Sequence, residues 1–141
     1  NIDATILRLF NVFGIGQSIE YAGVVTKFKE NIQNNLPLVI FGDGTATRDF
    51  IHIDDVVDAI ILVTSHSKNL IYNIASGVST SISDLAKIMI SISGKDIKIL
   101  YRPSRSGDIL FSSADISLPK KTLKFMPKIS LKSGLKQFMS K

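Results

Sequence analysis

Arg48 is the residue whose surroundings most favour binding of a charged ligand. It lies in the stretch PLVIFGDGTATRDFIHIDD, residues 37–55, between a glycine-bounded turn and a second apolar run. A guanidinium at the end of a strand, beside such a crevice, suits phosphate because its planar fork can bind two oxygens at once. The alternative for Arg48 is a surface ion pair with Asp43 or Asp49, which would add little to stability.

Three further polar residues could contribute to an anion site. Asn11 follows a predicted strand, where its amide could bind a ligand or close a turn on its own backbone. Arg105 and Asp108 belong to R-S-G-D, in which Gly107 permits a tight turn and lets both side chains face one pocket. Arg105 would then bind phosphate and Asp108 would accept hydrogen bonds from sugar hydroxyls. An ordinary polar loop is the alternative for this pair.

Val39 and Phe41 are alternate residues of one predicted strand and therefore share a face. Together they could sandwich a flat base. Packing into the core is the commoner fate of such residues, so the sequence leaves both interpretations open.

The residue types exclude several kinds of chemistry. The sequence has no Cys and only 2 His, which excludes disulfides and thiolate metal sites. Asp54 and Asp55 are interpreted as helix caps and not as a metal-binding pair, because no third oxygen ligand lies nearby in the sequence. His52 and His66 are interpreted as structural histidines, since neither has an adjacent serine that could act as a nucleophile.

Composition indicates a folded protein of about one domain. The chain has 141 residues, of which 45% are hydrophobic and 21% are charged, and its mean hydropathy is +0.24. No run approaches the roughly 20 apolar residues of a membrane helix, and no signal-peptide pattern opens the sequence. We therefore expect a cytoplasmic protein with no membrane partner. The chain begins with Asn1 and not with Met, which suggests a piece of something longer.

The net charge of +5 comes from 17 Lys and Arg against 12 Asp and Glu. Most of the excess lies in the last third of the chain, at positions that fit the solvated faces of helices. Nucleic-acid binding would need this charge gathered on one face with aromatic residues between, so we expect no nucleic-acid partner. Anionic small molecules remain compatible with this charge.

Strands and helices alternate along the predicted chain, which indicates the α/β class. Strands are predicted over residues 4–10, 38–41, 50–53, 70–75 and 97–101, with a glycine-containing loop over 11–17. Helices are predicted over 21–34, from Asp54 or Asp55 onward, from a cap at Ser81 or Ser83 to Gly94, from Asp115 toward Leu123, and after Ser130.

Two of these predictions concern burial. The helix that follows Asp55 is expected to bury Val56, Val57, Ile60, Ile61 and Val63. The first strand is apolar enough for a buried parallel strand, but few partners are evident, so we expect an exposed apolar edge that favours self-association.

Five blocks in this order resemble the extended short-chain dehydrogenase/reductases, and within them nucleotide-sugar epimerases of the UDP-glucose 4-epimerase type. The blocks are RLFNVFGIGQ, YAGVVTKF, PLVIFGDGTATRDFIHIDDVVDAI, YNIASGVSTSISDLAKI, and RSGD with SADIS. GDGTATRDFIHIDDV is the most specific of them. The resemblance covers essentially all 141 residues.

The resemblance implies that residues 1–141 form the C-terminal portion of such an enzyme: late strands of a Rossmann-type sheet and the smaller substrate-binding α/β domain. The family's G-x-x-G-x-x-G turn for NAD and its catalytic Tyr-x-x-x-Lys are absent from the sequence. Catalytic residues are therefore expected upstream of Asn1, NAD would be bound mainly by that upstream part, and this segment alone is expected to be inactive. A homodimeric full-length protein is also implied.

Carried over by position, the resemblance implies a site for a UDP-sugar or a related nucleotide-sugar. Asn11 and Arg48 would contact its phosphates, and Val39 and Phe41 would pack around the uracil. Arg105 and Asp108 would lie near a phosphate and the nucleotide ribose. A 4,6-dehydratase or a reductase of the same family is an alternative activity, and a basic anion- or nucleic-acid-binding module is an alternative of another class.

Overall fold

A computed structural model describes residues 4–17, 23–65 and 70–140 of the chain. Its strands are β1 Ile6–Leu9, β2 Asn11–Phe13, β3 Leu38–Phe41, β4 Thr47–His52, β5 Ile71–Ile74, β6 Ser79–Ser81 and β7 Ile99–Arg102. Its helices are α1 Val24–Gln33, α2 Ile53–Thr64, α3 Ile82–Ser93, α4 Ser117–Leu123 and α5 Leu131–Met139. The predicted α/β class is confirmed. His66 and the first residues of the helix predicted over 21–34 lie outside the described residues.

Parallel pairing dominates the sheets. β1 pairs with β5, β2 pairs with β4, and β3 pairs with β7, all in parallel, whereas β6 adds to β4 in the antiparallel direction. β1 and β2 are consecutive parts of one extended segment, and each part has a different partner strand. Parallel partners require long crossover connections, which is why helices separate most of these strands.

The prediction of a loop over residues 11–17 is therefore wrong for the first three of these residues, which form β2. Asn11 is aligned with Phe50 and Phe13 with His52, so the strand exists because β4 supplies its hydrogen-bonding partner. For the same reason β4 begins at Thr47, three residues before the apolar run that predicted it, since β6 pairs with those residues. β7 is displaced to Ile99–Arg102.

Two hydrophobic cores lie on opposite sides of β4. Phe50 packs into the first, which α1, α3 and α5 enclose around Phe28, Leu85 and Leu135. Ile51 packs into the second, with residues of α2, β5 and the segment around Phe125. Since successive side chains of a strand point to opposite faces, β4 acts as the wall between the two cores.

Helix α2 begins earlier than predicted, and neither aspartate caps it. His52 occupies the N-cap position, and its Nδ1 accepts a hydrogen bond from the backbone N–H of Asp54 at 3.3 Å. Asp55 is buried, and its carboxylate accepts hydrogen bonds from the backbone N–H groups of Lys128 at 2.9 Å and Ile129 at 3.1 Å. His52 thus caps α2 through Nδ1, although its buried Nε2 has no hydrogen-bond partner among the described residues, and Asp55 fastens the segment before α5 to α2.

The predicted buried stripe of α2 is also wrong in part. Val56 is buried and Val63 is half-buried, but Val57, Ile60 and Ile61 are exposed. Ala59 and Asp55 take the buried positions instead. A helix that is apolar on most of its surface gives no unique inward face, so only its packing partners decide which residues are buried.

Three other predicted helix ends agree with the structure, and the start of α4 differs by one residue. The Ser81 hydroxyl accepts from the backbone N–H of Asp84 at the start of α3, and Gly94 ends that helix with φ +65°. Ser130 caps α5 in the same manner. At α4 the N-cap position is Ile116, although the Asp115 carboxylate accepts from the backbone N–H of Ser117 at 2.8 Å.

Two lysines have a structural role in the fold. The ammonium of Lys29 donates to the carbonyl of Phe138 near the end of α5, at 2.8 Å. Lys95 donates to the carbonyl of Ile32 near the end of α1, also at 2.8 Å. Helix carbonyl ends carry partial negative charge, so both contacts are favourable. Among the described residues, no helix is long and apolar enough to cross a membrane.

Gly134 of α5 allows the first core to close. A Cβ atom at this position would lie 2.8 Å from Cδ2 of His52 and 2.8 Å from Cζ of Phe13, and both rings are buried. Gly134→Ala should therefore lower the free energy of unfolding. An overpacking cost of about 1–3 kcal/mol should exceed the gain of roughly 1 kcal/mol in helix propensity. Urea denaturation measures the net effect, and Ser133→Ala on the exposed face of α5 is the matched control. Equal stability of Gly134→Ala and the wild type would contradict this packing.

The exposed apolar residues support the expectation of self-association. Ile6 and Ile71 are aligned across β1 and β5 and are 54% and 45% exposed, and Ile61 on α2 is 60% exposed. Sedimentation velocity of the 141-residue chain should show association that increases with concentration. Ile61→Lys should weaken it, whereas Ser91→Lys, which adds the same charge on α3, should not. A monomer at every concentration would show that these residues do not drive contact between chains.

Candidate functional site

Strand β3 divides its side chains between the core and the surface. Leu38 and Ile40 are fully buried in the first core, whereas Val39 is half-buried and Phe41 is 36% exposed. Val39 and Phe41 thus lie on the face of β3 opposite the one that packs into the first core.

Two adjoining clefts open on that face of β3. The helix-side cleft has a volume of about 500 Å³ and is lined by residues of β3 and α1 together with Arg105. The strand-end cleft has a volume of about 280 Å³ and is lined by residues that include Asn11, Arg48 and Asp108. Val24, Val39 and Phe41 line both. All six residues singled out in the sequence thus line one or other of two clefts that share three residues, and such volumes are typical of small-molecule sites.

Asn11 joins β2 to β4 at the floor of the strand-end cleft. Its Nδ2 donates to the backbone carbonyl of Asp49 at 3.1 Å, so the side chain bonds the neighbouring strand and does not close a turn on its own backbone. Asn11 comes two residues after the last residue of β1, and ligands in open α/β sheets bind beyond the carboxyl ends of parallel strands.

Arg48 is half-buried in the strand-end cleft, and its Nη1 donates to the carbonyl of Thr47 at 2.8 Å. Within the described residues it forms no ion pair with Asp43 or Asp49. Both carboxylates are already occupied by other donors. Its guanidinium is thus not neutralised by either neighbouring aspartate.

Asp49 is a fully buried carboxylate that sequence reasoning did not recognise as structural. Oδ1 accepts from the backbone N–H and the hydroxyl of Ser76 at 2.8 and 2.6 Å, and Oδ2 accepts from the backbone N–H of Gly77 at 2.9 Å. Asp49 follows Arg48 directly in the sequence, but its side chain lies on the opposite face of β4. The signal that could have revealed it is an acidic residue directly before a buried apolar run.

Asp43 forms the turn between β3 and β4. The Thr45 hydroxyl donates to its carboxylate at 2.6 Å and the Thr45 backbone N–H at 2.9 Å. The hydroxyl contact, and to a smaller extent the backbone contact, holds the pKa of Asp43 below its ordinary value. This residue is therefore ionised at neutral pH on the rim of the strand-end cleft.

The R-S-G-D segment follows β7 and reaches both clefts. The Arg105 guanidinium stacks over the ring of Phe41, with its carbon 3.7 Å from the ring centre. Gly107 has φ +84°, and the backbone N–H of Asp108 donates to the carbonyl of Arg105 at 3.3 Å, which closes the predicted tight turn. Arg105 lines the helix-side cleft, whereas Arg48 and Asp108 line the strand-end cleft, so the two arginines line different clefts that share Phe41.

Comparison with known proteins identifies the family. The model of the NAD dependent epimerase/dehydratase family matches residues 1–75. The chain belongs to the NAD-dependent epimerase/dehydratase family. This confirms the family that the sequence blocks resemble, and the remaining residues continue the match in the individual relatives.

Three members of this family illustrate the similarity. A dTDP-L-rhamnose 4-epimerase of Burkholderia thailandensis is 35% identical over 135 residues, which cover 93% of this chain and 37% of that protein. The UDP-glucose 4-epimerase of Thermotoga maritima, solved with UDP-glucose, is 38% identical with a TM-score of 0.93 over 96% of this chain and 44% of its own. The UDP-glucuronic acid 4-epimerase of Bacillus cereus, solved with UDP-glucuronic acid and NAD, is 32% identical with a TM-score of 0.90. The match covers 99% of this chain and 45% of that one.

The chain thus spans less than half the length of these relatives. Its fold is the corresponding part of a Rossmann-type short-chain dehydrogenase/reductase epimerase, as the resemblance implied. What the whole protein does is inferred below from the clefts together with this membership.

Removal of the Asp49 carboxylate should destabilise the protein because three donors lose their acceptor. Asp49→Ala should lower the free energy of unfolding by about 2–4 kcal/mol, and Asp49→Asn should lower it by less, because one acceptor oxygen remains. Asp96→Ala removes an exposed carboxylate and is the control. Thermal or urea unfolding measures the change, and a loss no larger than that of the control would show that this cluster does not hold the turn at Gly77.

Proposed function

We propose that this chain is the substrate-binding portion of an NAD-dependent nucleotide-sugar 4-epimerase of the UDP-glucose 4-epimerase type. One observation carries the proposal: Asn11, Val39, Phe41, Arg48, Arg105 and Asp108 line two clefts that adjoin at Phe41. An aromatic ring, two guanidinium groups, an amide and a carboxylate are the groups that a nucleoside diphosphate requires.

The base would lie in the helix-side cleft against Phe41 and Val39. This cleft offers the half-exposed aromatic ring and the apolar side chain of Val24, which together suit the flat faces of a pyrimidine. Because Phe41 lines both clefts, a base stacked on it would place the rest of the nucleotide toward the strand-end cleft.

The diphosphate would lie in the strand-end cleft. The guanidinium of Arg48, which pairs with no aspartate among the described residues, and the amide of Asn11 would donate to phosphate oxygens, and Asp108 would accept hydrogen bonds from ribose hydroxyls. Arg105 contacts Phe41, which both clefts share, so its guanidinium would be a second donor to the phosphates. Binding energy gathered on the nucleotide would hold the sugar in position for reaction at its C4 carbon.

Bound NAD would supply the redox step, accepting hydride from C4 and returning it to the other face of the sugar. The residues of this chain do not fit a dinucleotide pyrophosphate, because the sequence has no G-x-x-G-x-x-G turn. We therefore assign the described clefts to the nucleotide sugar, and the acid–base residues to a part of the protein outside this sequence. The proposal includes a homodimeric, cytoplasmic parent protein and an inactive isolated segment.

A dTDP-sugar is the second candidate substrate, favoured by the relative from Burkholderia thailandensis that is named for dTDP-L-rhamnose. Product analysis after incubation of the intact protein with UDP-glucose or dTDP-glucose, with NAD present, separates the two nucleotides. It also separates epimerisation from 4,6-dehydration, because dehydration yields a keto-deoxy sugar and epimerisation an isomer.

Loss of either arginine should weaken nucleotide binding. In the intact protein that carries this sequence, Arg48→Ala or Arg105→Ala should reduce the affinity for UDP by about 1–3 kcal/mol, the scale of a charge-assisted hydrogen bond. Isothermal titration calorimetry measures this loss. Lys98→Ala removes the same charge before β7, at the end of that strand far from Phe41, and should leave the affinity unchanged. Unchanged affinity in both arginine variants would refute their phosphate roles.

A further inference from the structure

The Arg105–Phe41 stack occupies a surface that the proposed ligand also needs. The guanidinium carbon lies 3.7 Å from the ring centre, which is direct contact between two flat groups. Both residues line the helix-side cleft, where the base is proposed to stack. A base and a guanidinium cannot lie on the same face of one phenyl ring.

Among the described residues, Arg105 has little besides this ring to hold it in place. Residues 100–111 are exposed, and the turn at Gly107 has the positive φ that glycine adopts readily. A cation over an exposed ring is held weakly, whereas a guanidinium bound to phosphate forms charge-assisted hydrogen bonds that are stronger. A phosphate in the adjoining strand-end cleft would therefore draw Arg105 away from the ring.

We propose that Arg105 makes this site selective for nucleotides over bare nucleosides. Its guanidinium covers Phe41 until a phosphate attracts it, so only a ligand that carries phosphate both uncovers the ring and gains a new contact. A nucleoside must displace the guanidinium without any such compensation. This inference rests on the proposed function, since it requires that Phe41 stacks on the base.

The test compares a ligand with and without phosphate in the same variant. In the intact protein, Arg105→Ala should bind uridine about two- to fivefold more tightly than the wild type, because the competing cation is gone. The same variant should bind UDP about tenfold or more weakly, because a phosphate contact is lost. Proton NMR titrations measure both dissociation constants, and thymidine with dTDP replaces this pair if dTDP-sugars prove to be the substrates.

Two further variants assign the effect to the ring. Lys98→Ala should change neither dissociation constant, which shows that loss of one positive charge is not the cause. Phe41→Leu combined with Arg105→Ala should abolish the gain in uridine affinity, since no ring is left to uncover. A gain that persists in the double variant would overturn the proposal.

The outcomes also separate this inference from the function on which it rests. Failure of the wild type to bind either UDP or dTDP would refute the proposed function itself. If the wild type binds UDP but Arg105→Ala binds uridine no better, or less well, the nucleotide site stands and the covering role of Arg105 is wrong.

Discussion

The parallel pairing of β2 with β4 is the constraint on which the rest of this structure depends. It aligns Asn11 with Phe50 and places the amide of Asn11 on the carbonyl of Asp49. The other edge of β4 pairs with β6, and its two faces fill two different cores through Phe50 and Ile51. A shift of one residue would exchange these faces, so packing and hydrogen bonding together hold Arg48 at the cleft.

Two buried carboxylates extend this constraint to the surrounding loops. Asp49 accepts three hydrogen bonds from Ser76 and Gly77, and Asp55 accepts two from Lys128 and Ile129. Buried charges are tolerated when donors surround them, and here most of those donors are backbone N–H groups of loops. Each aspartate therefore ties a loop of otherwise free conformation to β4 or to the helix that follows it.

The clefts combine a rigid wall with an adjustable one. Val39 and Phe41 are held by β3, whose alternate residues Leu38 and Ile40 are locked in the first core. Arg105, in contrast, comes from an exposed turn and reaches the site by stacking on Phe41. The aromatic surface is thus set by the fold, whereas the position of the second guanidinium depends on what else occupies the ring.

Local signals in the sequence were reliable where the interacting atoms are neighbours in the chain. Ser81, Ser130 and Gly94 were correctly placed at helix ends because a cap involves atoms only two to four residues apart. The six site residues were selected partly by their chemistry and partly by the family resemblance. The structure places all of them along the two clefts, while their contacts with a ligand remain a prediction.

The sequence by itself determined the α/β class and several helix ends, and it singled out the six residues that line the two clefts. Only the tertiary structure decided that Asn11 belongs to a strand, which face of α2 is buried, and that the two arginines line different clefts. The reason is distance along the chain. Asp49 meets Ser76 across 27 positions and Asp55 meets Lys128 across 73, and no local pattern encodes such partners.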